Sequence, residues 1–134
     1  MQERTARCFV AATANDVYRL PPEFLRKGRF DEIFFVDLPD AATRETIFAL
    51  HLSKRGLPPA DFDLEALAEQ TADFSGAEIE QVILAALYSA SHRQKPLTTA
   101  LLLEKAGATK PLAVLKSEDV NALRDWARDR TVPA

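Results

Sequence analysis

Apolar positions along this chain follow two rhythms. In the first forty residues they come as short unbroken runs, CFVAAT over 8–13 and IFFV over 33–36. Runs without polar alternation predict strands buried on both faces, as in a parallel sheet. Between the runs, Asn15 and Asp16 favour a turn, and Pro21-Pro22 forbids a long helix while allowing a short one to open. From Asp40 the spacing changes to three and four. Over 40–56, Ile47, Leu50 and Leu52 line one face, Asp40 is placed to cap the helix and Gly56 to stop it. LPPADFD then reads as a linker, and DLEALAEQTADF as a short helix carrying Leu64, Leu67 and Ala68. The clearest helix is SGAEIEQVILAALYSASHRQ. Ser75 and Glu78 have the spacing of a capping box, and Ile79, Val82, Ile83, Ala86 and Leu87 form its stripe. A further helix begins at Thr98 or Thr99 and stops at Gly107. KPLAVL reads as extended or loop. A last helix is capped by Ser117, with Val120, Leu123, Trp126 and Ala127 facing inward.

The pattern divides the chain near Pro39-Asp40 into two strands of an α/β sheet (1–39) and an all-α, four-helix domain (40–134). Two isolated parallel strands cannot cover both faces or complete their hydrogen bonds. The first part is therefore expected to be one edge of something larger. In isolation it is expected to be poorly ordered or to pair with a second copy. The four helices carry enough apolar positions to form a core of their own.

Composition narrows the classes. With 47% hydrophobic and 28% charged residues, the chain has the make-up of a globular domain rather than a disordered one. Its net charge of −3 gives no global attraction to nucleic acid or to an anionic membrane, so any phosphate contact has to be local. No helix carries a basic stripe, which argues against a nucleic-acid binder. The single cysteine, Cys8, excludes an internal disulfide and reads as a small core residue. No apolar stretch reaches the length of a membrane span, and the polar MQERTARCF start is unlike a signal peptide. A cytoplasmic location is expected.

One stretch carries candidate chemistry. In LRKGRFDEIFFVDLP, Arg26, Lys27 and Arg29 surround Gly28 just before the second strand. They form either a solvated turn or a pair of cations held out towards a phosphate. A glycine between two arginines lets the loop turn tightly enough for both to face one way.

FVAATANDVYRLPPEFLRKGRFDEIFFVDLPD, followed later by FSGAEIEQV, resembles the second half of the ATP-binding core of AAA-type ATPases together with the start of their helical lid. The tail DVNALRDWARDRTVPA resembles a poorly characterised bacterial and plastid subgroup. The resemblance implies the C-terminal strands of a P-loop core followed by a lid. It implies that Asn15 is the first sensor, hydrogen-bonding the γ-phosphate and orienting the attacking water. It makes Arg26 and Arg29 arginine fingers for the nucleotide of a neighbouring subunit. It sets Gly76 and Ala77 at the start of the second-sensor helix, near adenine and ribose, and His51 near the nucleoside. ATP with Mg in the intact protein, a ring of copies (hexameric in the family) and a remodelled protein substrate follow as implied partners. A guanidinium suits the finger role because its charge is permanent and its fork is planar.

Two family features are missing from this sequence. G-x-x-x-x-G-K-[ST] occurs nowhere, and no apolar strand ends in Asp-Glu; IFFVDL comes near, but Leu38 follows Asp37. Without a phosphate cradle and metal strand the chain is expected not to hydrolyse ATP alone. The expected function is thus a part of a ring ATPase. The alternative is a non-enzymatic, lid-like module that docks on an ATPase and regulates it.

Overall fold

The computed structural model describes residues 9–14, 16–21, 23 and 30–133. Its residues are mostly helical, and they group into two units. One is Asp37–Val120; the other combines Met1–Val36 with Asn121–Ala134. Patterning draws the boundary at Pro39-Asp40, whereas the larger unit starts at Asp37 and the tail from Asn121 groups with the N-terminal residues.

The larger unit starts with α1, Ala41–Ser53. The Asp40 carboxylate accepts from Thr43 N at 2.8 Å and satisfies one of the orphan donors of the first turn. The buried face is Arg44, Phe48 and Leu52, with Ile47 packed beside it. Leu50, expected on that face, is 50% exposed. The i, i+4, i+8 spacing of 44, 48 and 52 explains this, because it sets Leu50 on the opposite side. Arg44 is buried and spans two elements. Its Nε donates to Ala68 O at 3.0 Å and its Nη1 to Pro39 O at 2.6 Å. The charged fork thus ties the entry of α1 to α2. Gly56 ends α1 in the left-handed region at φ 73°. Gly56 N–H donates to Ser53 O and Leu57 N–H to Leu52 O, the paired bonds of a Schellman stop.

Helix α2, Leu64–Gln70, is capped by Asp63, whose side chain accepts from Ala66 N. It buries Leu67 and Ala68 as the pattern requires. Thr71, fully buried, returns its hydroxyl to Leu67 O at 2.8 Å and so leaves no stranded donor. Helix α3, Gly76–His92, buries Ile79, Val82, Ile83, Ala86 and Ala90, with Leu87 packed at the edge. It too ends in a Schellman stop, here on a non-glycine residue, Gln94 at φ 51°. Helix α4, Thr99–Ala108, starts from the predicted Thr98 cap and contributes Leu101, Leu102 and Ala106. These four helices share one core around Phe48, Leu52, Leu67, Phe74 and Leu102. Burying a Leu, Ile or Phe side chain is worth about 1.5–3 kcal/mol, so this cluster is the main favourable term for the unit.

KPLAVL, expected to be extended or loop, contains a short helix α5, Leu112–Leu115. Pro111 at its start is pre-set for a helix entry, and the four residues make a single turn. Helix α6, Ser117–Ala127, includes Ser117 as its first residue rather than as its cap, and the Lys116 carbonyl accepts from Val120 N–H. The division between the units falls within α6.

In the smaller unit, residues 9–14 are irregular and exposed rather than part of a buried strand, with Phe9 96% exposed. Among the described residues the only sheet is a two-stranded one. A strand meant for burial on both faces has no partners here, which is why its apolar side chains face solvent. The second expected strand is present as β1, Phe34–Phe35, again with exposed flanks: Phe34 is 61% and Val36 77% exposed. Its partner is β2, Val132–Pro133, paired in parallel with Phe34 opposite Val132. Val132 N–H donates to Ile33 O at 3.0 Å. Near β2, Ala127 is buried and the Arg130 guanidinium stands 5.8 Å from the Trp126 ring centroid. Asp16 caps a 3₁₀ turn at Val17–Arg19.

Candidate functional site

The predicted site residues of the larger unit meet along one seam between α1 and α3. Ile47 Cδ1 lies 3.5 Å from the point where a side chain on Gly76 would begin. One turn on, His51 Nδ1 lies 3.2 Å from Glu80 Oε1. Both steps advance by four residues, 47 to 51 on α1 and 76 to 80 on α3, so the two helices run in the same direction along this seam. His51, on the half-buried side of α1, therefore sits one turn along α3 from Gly76 and Ala77.

The start of α3 is held from two sides. Glu78 Oε2 accepts from Ser75 N–H at 2.8 Å and from Ser75 Oγ at 2.7 Å, while Ser75 Oγ accepts from Glu78 N–H at 3.4 Å. The other carboxylate oxygen, Oε1, accepts from Leu112 N–H at 2.7 Å and so fastens α5 to the same point. Partial burial pushes the Glu78 carboxyl up, but the hydrogen bonds from Leu112 and Ser75 together outweigh it, and the carboxyl lies below its ordinary 4.5. With Ser75 and Glu78 serving each other, the N–H groups of Gly76 and Ala77 are the open donors of the helix start. Ala77 is exposed. Such donors, with the positive end of a helix dipole, fit polar or anionic ligand atoms.

Around His51 lies a compact polar group that sequence reading missed. Arg55 Nη1 donates to the His51 carbonyl at 2.9 Å, and Arg55 Nη2 donates to Glu80 Oε1 at 2.9 Å. The hydrogen bond from Arg55 holds the Glu80 carboxyl below its ordinary 4.5, assisted by the nearby charges of His51 and Arg55. The available signal was the i, i+4 spacing of His51 and Arg55 on one helix face. Glu80, 25 residues away from Arg55 in sequence, could be matched to them only by packing.

Asn15, Arg26 and Arg29 lie outside the described residues, as do Cys8, Lys27 and Gly28. The structure therefore sets His51 about one turn along α3 from Gly76, leaves Ala77 exposed at the helix start, and does not bear on Asn15, Arg26 or Arg29. No described helix is long and apolar enough to cross a membrane.

Comparison with known proteins bears on the same segment. The AAA+ lid domain family matches residues 61–103, which run from just before α2 through the first half of α4. The uncharacterized AAA domain-containing protein ycf46 of Guillardia theta is 44% identical over 128 residues, covering 95% of this chain and 25% of that protein. The ATP-dependent zinc metalloprotease FtsH 2 of Sphaerobacter thermophilus is 40% identical over 135 residues, 99% of this chain and 20% of its own length. The proteasome-activating nucleotidase of Aeropyrum pernix is 40% identical over 90 residues, 67% of this chain and 22% of its own. The chain spans about a quarter of the length of the first of these relatives.

Proposed function

The chain belongs to the AAA-type ATPases, and from that premise we propose that it supplies the finger loop and the lid of an ATP-binding module. Residues 1–39 contribute to the nucleotide-binding core and 40–134 form the lid. The intact protein binds and hydrolyses ATP with Mg in a ring of its own copies and couples the cycle to remodelling a protein substrate. The observation that carries this reading is the α1–α3 seam. It sets the half-buried His51 about one turn along α3 from the open N–H groups of Gly76 and Ala77, and open donors at a helix start support a polar ligand there. The relatives agree with it, since ATP-dependent and nucleotidase proteins share this segment.

In this reading each side chain has one task. His51 faces the base, and the start of α3 offers its N–H groups to the sugar side. Asn15 orients a water at the γ-phosphate. Arg26 and Arg29 extend to the nucleotide of the adjacent copy. ATP itself supplies the phosphoryl group, whose transfer spreads negative charge that cations have to meet. A finger acting across subunits is worth roughly 10³–10⁵ in rate. The experiment is Arg29→Ala in the intact protein. Hydrolysis should fall by orders of magnitude while ATP binding persists. Unchanged hydrolysis and assembly would refute the finger role.

A further inference from the structure

The tail that follows α6 is aimed at β1 by the way the helix ends. The Ala127 carbonyl accepts from Arg130 N–H at 3.0 Å, from Thr131 N–H at 3.0 Å and from the Thr131 hydroxyl at 2.9 Å. Arg130 Nη1 donates to the Trp126 carbonyl at 3.0 Å. These bonds occupy the last carbonyls of the helix and fix the direction in which the chain leaves it. Val132 N–H then donates to Ile33 O at 3.0 Å, and Val132 and Pro133 run parallel to Phe34 and Phe35. Successive backbone N–H groups of a strand point to opposite edges. With the Val132 N–H turned to β1, the nitrogens of residues 131 and 133 belong to the outer side. Neither offers a donor there. Thr131 N–H is bonded to Ala127 O, and Pro133 has no N–H.

The strand that β2 covers is prone to pair with other chains. IFFV over 33–36 combines high strand propensity with the absence of charge and proline. Phe34 and Val36 are exposed. The N–H and C=O groups along an open edge of such a strand are a template for another chain. A short strand that pairs inward and carries proline on its outward side ends a sheet without opening a new edge. We propose that residues 131–133 are a sheet terminator: they occupy one edge of β1 with the chain's own tail and so exclude the same strand, 33–36, of a second copy. Pro133 stands where a missing N–H takes nothing from the pairing with β1, because the inward donor is the neighbouring Val132. The run that the sequence marks for pairing with a second copy thus has one edge taken within the chain.

The test uses the full chain and two substitutions that act on opposite sides of β2. Val132→Pro removes the N–H that faces β1 and so lifts the cover. Pro133→Val keeps the cover and restores a donor on the outer side. The other edge of β1 is the same in all three proteins, so differences between them report the β2 side. Sedimentation velocity over a range of concentrations reads association, helical circular dichroism checks that the larger unit is folded, and amide exchange is followed over 33–36. In dilute solution Val132→Pro should exchange about five- to tenfold faster at 33–36, the worth of one hydrogen bond. It should self-associate at concentrations where the wild-type chain does not, with 33–36 regaining protection in the associated form. Pro133→Val should also associate more readily than wild type, with exchange at 33–36 in dilute solution unchanged. If Val132→Pro remains folded and associates no more than wild type, the tail does not guard this edge and the proposal is overturned. The same follows if the variant associates with 33–36 unprotected, because another surface then joins the copies. If Val132→Pro loses its helical signal, Pro133→Val decides alone, and association no greater than wild type overturns the terminator.

Discussion

Replacing Gly76 by alanine separates what the lid fold requires from what a nucleotide requires. In the structure Gly76 opens α3 outside the left-handed region, so its backbone asks for no glycine. A Cβ there would lie 3.5 Å from Ile47 Cδ1, which is ordinary van der Waals contact, and no other atom beyond its own helix backbone and chain neighbours comes within 4 Å. The fold alone should therefore welcome the methyl group. Gly→Ala at a compatible position stabilises by about 0.4–1 kcal/mol, mostly by narrowing the unfolded ensemble. For a unit of this size that raises the melting temperature by a few degrees. Helical circular dichroism is the suitable probe, because Trp126 belongs to the other unit and its fluorescence would report there. In the intact protein the same methyl group should weaken ATP binding, since it stands beside the open N–H groups of the helix start. Stability should thus rise while affinity falls. A loss of more than about 1 kcal/mol in the isolated chain would refute the packing account of the seam. Unchanged ATP affinity in the intact protein would remove Gly76 from the site.

Other outcomes follow from the same geometry. Phe48→Ala empties the centre of the core, where Phe48 is fully buried, and should cost roughly 3–5 kcal/mol in urea unfolding. Gly56→Ala meets no neighbour, but it forces a Cβ into φ 73° and should cost about 1–2 kcal/mol. Asp40, Glu78, Glu80 and Glu104 all have carboxyl groups held below their ordinary values in the folded chain. Their contribution is present above the unfolded values of 3.8 and 4.5 and is lost as pH falls through and below them. Acid titration of stability should show that decline, and Glu78→Gln should flatten part of it. Amide exchange should show higher protection at 82–87 within α3 than at 9–12; equal, high protection in a dilute monomer would contradict the exposure of Phe9.

The helical unit was largely legible because its signals are local. Asp40, Thr98 and the Ser75/Glu78 box are short-range devices, and each caps the helix assigned to it. Gly56 and the α3 stripe behaved likewise. Leu50 misled because a leucine counts as apolar wherever it stands, while the side a helix buries is decided by its neighbours. Of the two short apolar runs, IFFV forms the short strand β1, whereas the described residues of the first run are irregular and exposed. CFVAAT has the composition of a doubly buried strand, but composition does not supply the adjacent strands that would bury it. KPLAVL formed a helical turn because Pro111 opens one and Glu78 anchors its Leu112 N–H.

The sequence by itself determined where α1 to α3 and the start of α4 lie, and it carried the resemblance that named His51, Gly76 and Ala77. Those properties depend on residues three or four apart, within the reach of one helical turn. The tertiary structure alone decided which distant residues share a site. It set Glu80 against His51 and Arg55, tied Glu78 to Leu112, buried Arg44 against Ala68 O, and paired Phe34 with Val132. Each of these joins residues 24 to 98 positions apart, by subtraction of their numbers. Only the packing of whole elements, driven by apolar area removed from water, brings such pairs within hydrogen-bond reach.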